Sequence, residues 1–155
     1  MILGTSKIFV STKDFNYDYF TASDINRLIN KEKELIYALS YHNGFKKFNY
    51  DELDLKEIKI ANKKIYKLRF SNTVGRLYEV YMSNSEEIFT INKGYINVME
   101  MAITDVYYDQ DGNYCKLLAK PVEVKLDGSE VFYNVNVIHH KSFFLDGMLV
   151  RNIDN

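Results

Sequence analysis

An all-β body carrying one main helix is the architecture this sequence predicts, and three observations point there. Short apolar runs recur along the chain with turn signals about every 8–12 residues, the pattern of a sandwich or barrel-like body. Aromatic residues make up 15% of the chain, supplied by Tyr and Phe alone, and with Ile and Val these are the side chains that suit a pleated, half-buried surface. Helical spacing sustained over more than two turns occurs in a single stretch, TASDINRLINKEKELIYALS.

Taken in order, Ile2 to Val10 reads as a first strand, bent at Gly4. Ser23 is placed as the cap of a helix over residues 24–39, with Ile25, Leu28, Ile29, Leu35, Ile36 and Leu39 on its apolar face, and Gly44 in the turn behind it. Ile58 and Ile60 form a short alternation. Ile65, Leu68 and Phe70 form another, and Leu77, Val80 and Met82 a third. Ile88–Ile91 and Tyr95–Val98 flank Asn92-Lys93-Gly94, a hairpin signal. Asp109–Asn113 is the strongest loop signal. Leu117–Val124 and Val131–Ile138 flank Leu126-Asp127-Gly128, which predicts another hairpin. Phe143–Leu145 leads through Asp146-Gly147 into a last strand, Met148–Val150.

Composition narrows the function classes. At 155 residues the expectation is one domain, 1–155, with no internal boundary. Twenty basic against 21 acidic residues give no electrostatic case for nucleic-acid binding. No apolar run is long enough to span a membrane, and the N-terminus lacks the layout of a secretory signal. One cysteine, Cys115, excludes an internal disulfide and a multi-cysteine zinc site, so a reducing, cytoplasmic setting is expected. Phosphate-binding glycine motifs and H-E-x-x-H are absent. Of the histidines, His42 reads as a solvated loop residue. His139-His140 has no neighbouring acid or thiol that would complete a metal set, so neither metal nor cofactor is expected. Glu86-Glu87 on its own reads as a solvated strand end.

The ends and the middle change that reading when taken together. Met1-Ile2-Leu3-Gly4-Thr5 keeps the spacing nucleophile–x–x–Gly–Asp/Thr. Ser83-Asn84-Ser85-Glu86 lies in register with Thr-x-x-His, followed by apolar residues and the Gly94-Tyr95 turn. Tyr133-Asn134-Val135-Asn136-Val137, then Phe143, then Gly147-Met148-Leu149-Val150 follow the order of a C-terminal block that ends in His-Asn. In this the chain resembles an intein, a self-excising domain of the HINT fold, over its whole length. The resemblance implies a horseshoe-like β body and no cofactor. It also implies that the partners are the chain's own flanking host segments.

The departures fall on the chemistry. Met1 occupies the nucleophile position, where the family has Cys or Ser; an engineered start is the reading of that methionine. Glu86 stands for the middle histidine, Asn134 for an aspartate, Lys141 for a later histidine, and Arg151 for the penultimate one if Asn152 is terminal. An intein lacking the middle histidine resembles one found in a phage family-B DNA polymerase.

The resemblance implies protein splicing, an acyl shift at residue 1 followed by cyclisation of a terminal asparagine. Ser83 would then donate to the oxyanion. Glu86 would act as an acid only if burial lifts its pKa well above about 4.3; otherwise distortion of the scissile peptide compensates for an idle Glu86. His140 is the candidate imidazole for the second scission, with His139 and Lys141 behind it. The terminal residue is assigned to Asn155, because Ile153 has no nucleophile to receive an upstream segment, with Asn152 as the alternative. The length leaves no room for a homing endonuclease. The polar loop Asp109–Asn113 is where an insertion, or a break into two complementary fragments, would be tolerated. Two other classes stay open: a non-catalytic β-rich binding domain, and a HINT domain that only cleaves.

Overall fold

A computed structural model describes residues 1–13, 16–42, 47–59 and 64–152, with the backbone alone at His42. Gly44, Ile60 and Asn155 therefore lie outside the described residues. The strands are β1 (Ile2–Leu3), β2 (Lys7–Ser11), β3 (Tyr17–Thr21), β4 (Tyr37–His42), β5 (Lys47–Ile58), β6 (Ile65–Asn72), β7 (Leu77–Ser83) and β8 (Glu86–Thr90). They continue as β9 (Gly94–Asn97), β10 (Val106–Tyr108), β11 (Tyr114–Leu117), β12 (Val122–Val124), β13 (Phe132–Val137), β14 (Ser142–Leu145) and β15 (Met148–Asn152). One α-helix, α1 (Ala22–Asn30), follows β3.

Ten strands form a sheet in the order β1-β13-β5-β4-β2-β14-β15-β8-β9, with β3 added to β2. Five form a second, β10-β11-β6-β12 with β7 on β6. The larger sheet curls, and β5 shows how. Its first half, to Glu52, pairs with β4, and its second half, from Leu53, pairs with β13. Ile8, Val10, Ile25, Leu68, Val80, Ile88, Phe143 and Val150 bury between the layers. Met1, Ile65 and Phe132 make a separate small cluster at one end.

The sheet architecture and single helix match the expectation; several boundaries do not. The helix is α1, capped by Thr21, whose side chain accepts from the Asp24 N–H at 3.2 Å, and it ends at Asn30 rather than at 39. Lys33 takes a left-handed conformation (φ 56°), and the chain leaves as β4. Ile36, Ala38 and Ser40 point inward while Tyr37 faces out, so a period of two, supported by β2 and β5, overrides the local helical spacing. The expected hairpin about Asp127-Gly128 is absent: β12 pairs with β6, whereas β13 pairs with β5 and β1. Gly128 still makes its turn (φ 89°), but the turn passes the chain from one sheet to the other. β3 and most of β5 were not anticipated.

Two glycines hold special positions. A side chain at Gly4 would meet Ser23 Oγ at 2.5 Å, so the start of α1 packs directly on the bend after β1. Gly147 (φ 98°) completes the Asp146-Gly147 hairpin between β14 and β15, and a Cβ there would meet the Tyr78 ring at 2.5 Å. Gly147→Ala is expected to destabilise the fold by about 1–3 kcal/mol from backbone strain alone, read as a lower denaturant midpoint at unchanged slope. An unchanged midpoint would contradict the packing at Tyr78.

The Asp109–Asn113 loop is the β10–β11 turn, and Asp109 is itself buried. Its carboxylate accepts from Asn72, from the Tyr78 hydroxyl and from the Asp111 and Asn113 N–H groups. An insertion or break here must leave that anchor intact and fall at residues 110–112.

Candidate functional site

β7 ends at Ser83 and β8 begins at Glu86, with Asn84-Ser85 between them. The strands on either side pair with different partners, so this corner is where the two sheets meet. The Ser85 N–H donates to Ser83 Oγ at 3.1 Å, which holds the corner tight. Ser83 Oγ in turn donates to Glu86 Oε2 at 2.6 Å. Ser83 and Glu86 are buried, Glu86 completely. A carboxylate so far from water needs charge or hydrogen-bond partners. The second is the amino group of Met1, whose nitrogen lies 2.5 Å from Glu86 Oε1. β1 reaches this place by pairing with β13, Ile2 opposite Tyr133. The Met1 side chain turns away into the Ile65–Phe132 cluster and is fully buried there.

Asn152 arrives from the other end. It is the last residue of β15 and lies in register opposite Glu86 on β8. Its side-chain amide donates to the Val135 carbonyl at 2.8 Å, two residues along β13 from the partner of Ile2. The Asn152 N–H points at the Lys141 carbonyl, 3.4 Å away. Lys141 (φ 60°) closes a turn over residues 138–140, and the strand expected to run to Ile138 ends at Val137. Both histidines sit on this turn, and the turn abuts Asn152.

Asp51 of β5 holds the turn in place. Its Oδ2 accepts the backbone N–H of His139 at 2.7 Å and of His140 at 2.8 Å, and Oδ1 meets His139 Nδ1 at 2.8 Å. Burial alone would raise the Asp51 pKa, but the His139 side chain and the two backbone donors outweigh it and hold the carboxyl below its ordinary range. The sequence reading missed this residue. The available signal was an acid on the inward face of a strand that otherwise alternates Leu53 and Leu55 inward.

Met1, Ser83, Glu86 and Asn152 thus come together, with His140 and Lys141 one turn away. Arg151 does not join them. Its guanidinium pairs with Glu87 at 2.7 Å and stacks 4.2 Å over the Tyr95 ring, on the opposite face of β15. Among the described residues, no three His, Cys, Asp or Glu side chains gather as metal ligands, and no helix is long and apolar enough to cross a membrane.

No family model and no curated protein matches the sequence. Solved structures do. An intein from a hyperthermophile superposes with a TM-score of 0.74 at 12% identity, covering 97% of this chain and 98% of that one. A DnaB intein from Synechocystis sp. PCC 6803 gives 0.68 at 14% identity, covering 97% and 96%. A bacterial intein-like domain from Clostridium thermocellum gives 0.63 at 12% identity, covering 98% and 99%. At these identities the likeness is one of fold, and it extends over nearly the whole length of each neighbour: the chain has the HINT fold of inteins.

Proposed function

We propose that this chain is a self-processing domain of the protein-splicing type, which severs its own backbone before residue 1 and after a terminal asparagine. The observation that supports this most is the contact of Glu86 with both the Met1 nitrogen and the Ser83 hydroxyl. In an unprocessed precursor the Met1 nitrogen is the amide of the upstream scissile bond, and the ammonium described above stands in for that atom. An amide brings no positive charge, so burial favours the neutral acid form of Glu86 there. In this reading a neutral carboxyl against the leaving nitrogen serves as the general acid, and protonation of that nitrogen is what peptide scission requires. After scission, amine and acid become the ammonium–carboxylate pair.

At the downstream end the asparagine side-chain nitrogen attacks its own carbonyl, a succinimide forms, and the following residue leaves as an amine. Protonation of that amine is assigned to His140, on the turn that abuts Asn152, with His139 and Lys141 behind it. Burial and register opposite Glu86 favour Asn152 for this role; Asn155 is the assignment that would leave a splicing acceptor outside the sequence. A phage polymerase as host rests on the Glu86 departure alone.

Ligation needs a nucleophile at each junction. A methionine thioether carries no proton to give up and cannot accept an acyl group. With Asn152 terminal, Ile153 is no acceptor either, and the chain as written cleaves without joining. A precursor with folded domains on both sides tests this. Met1→Cys combined with Ile153→Ser is expected to yield ligated flanks by mass spectrometry, and the unaltered chain none. Ligation by Met1→Cys alone would move the terminal residue to Asn155. Ligation by the unaltered chain would refute the assignment of position 1.

A further inference from the structure

We propose that Ser83, not residue 1, is the nucleophile of the upstream scission in this chain. The proposal rests on the self-processing reading above and extends it. As a methionine, residue 1 cannot serve, because its thioether has no acidic hydrogen. Ser83 has what residue 1 lacks. Its hydroxyl is buried, it carries a proton, and that proton is directed at a carboxyl oxygen 2.6 Å away. A neutral carboxyl can take the proton of an attacking hydroxyl on one oxygen while it gives its own proton from the other, which is how this contact would activate Ser83. The same proton cannot also point at an oxyanion, so the geometry fits attack better than oxyanion donation. The other oxygen of the same carboxyl touches the nitrogen that must leave. One carboxyl group therefore spans the attacking and leaving atoms.

The step balances without any added reagent. Ser83 Oγ bonds to the carbonyl carbon preceding Met1, and the bond from that carbon to the Met1 nitrogen breaks. The hydroxyl proton passes to Glu86 Oε2 as the proton on Glu86 Oε1 passes to the nitrogen. Glu86 finishes as an acid with its proton on the other oxygen. The products are an ester of the upstream segment on Ser83 and a free Met1 amine. That amine then takes the remaining proton from Glu86, which gives the ion pair observed. Hydrolysis of the ester completes release.

The test uses a precursor with a folded domain fused ahead of Met1. The unaltered chain is expected to release that domain with hydroxylamine, and a branched ester at Ser83 should appear by peptide mapping. Ser83→Ala is expected to lower release at least a hundredfold. Ser83→Cys is expected to convert the linkage to a thioester, so that dithiothreitol releases the domain, which it cannot do from the serine ester at a comparable rate. A structural role for Ser83 would not produce thiol dependence. Undiminished release from Ser83→Ala, or thiol-insensitive Ser83→Cys with a native circular dichroism spectrum, would overturn the proposal. In either of those cases continued release of a downstream fusion would leave the self-processing reading standing; loss of processing at both ends in the folded, unaltered chain would remove both.

Discussion

Glu86→Ala is expected to destabilise the free domain by about 3–5 kcal/mol, the usual cost of removing one partner from a buried ion pair. The Met1 ammonium and the Glu86 carboxyl are both almost wholly buried, so water cannot replace the lost charge. The same substitution in a precursor, where the Met1 nitrogen is an uncharged amide, leaves no buried charge behind and should cost much less. The comparison needs only denaturant curves of the two forms at neutral pH. The precursor should at the same time lose upstream scission by roughly 10²–10⁴, the range for a positioned acid or base. Glu86→Gln keeps the shape and one acceptor but gives up the transferable proton; it should protect folding better than alanine does while cleaving no faster. Equal destabilisation of free domain and precursor, with scission intact, would make Glu86 a wall of the core and nothing more.

How much of this was legible in the sequence follows from how local each feature is. The hairpins β8–β9 and β14–β15 were readable because Gly94 and Gly147 carry the positive φ that their turns require, next to alternating runs. Ser83 and Glu86 meet within one corner, three residues apart, but the local pattern alone read Glu86 as a solvated strand end, and only the resemblance singled out the pair. β4 was not, since Leu35, Ile36 and Leu39 fit a helix as well as a strand until β2 and β5 are in place to pair with it. The supposed hairpin about Gly128 failed for the same reason: local turn chemistry marks a reversal but does not name the partner strand. Asp51 was the least accessible. It acts on His139 and His140 across 88 and 89 residues, and only the folded chain brings a β5 carboxylate under that turn.

Release at the downstream end separates the remaining site residues most sharply, and the expected cut is after Asn152. Three facts carry the expectation. Asn152 lies opposite Glu86 at the end of β15, and its backbone N–H meets Lys141, directly after His140. Its side-chain amide is held by the Val135 carbonyl, which restricts rotation before attack and lowers the entropy the reaction must lose. Ile153 pulls the other way, because it cannot accept an acyl group; a domain that only cleaves needs no acceptor, and that is the behaviour Met1 also implies. With a folded domain fused after residue 155, Asn152→Ala should abolish release while Asn155→Ala leaves it unchanged. The N-terminal sequence of the released piece should begin Ile-Asp-Asn. His140→Ala should slow release by roughly 10²–10⁴ and His139→Ala by far less. Asp51→Asn, which keeps an acceptor for the two backbone donors, should fall between them. If Asn155→Ala abolishes release and the liberated piece lacks Ile153, the terminal residue is Asn155, the chain retains a route to full splicing, and the contact with Val135 is structural.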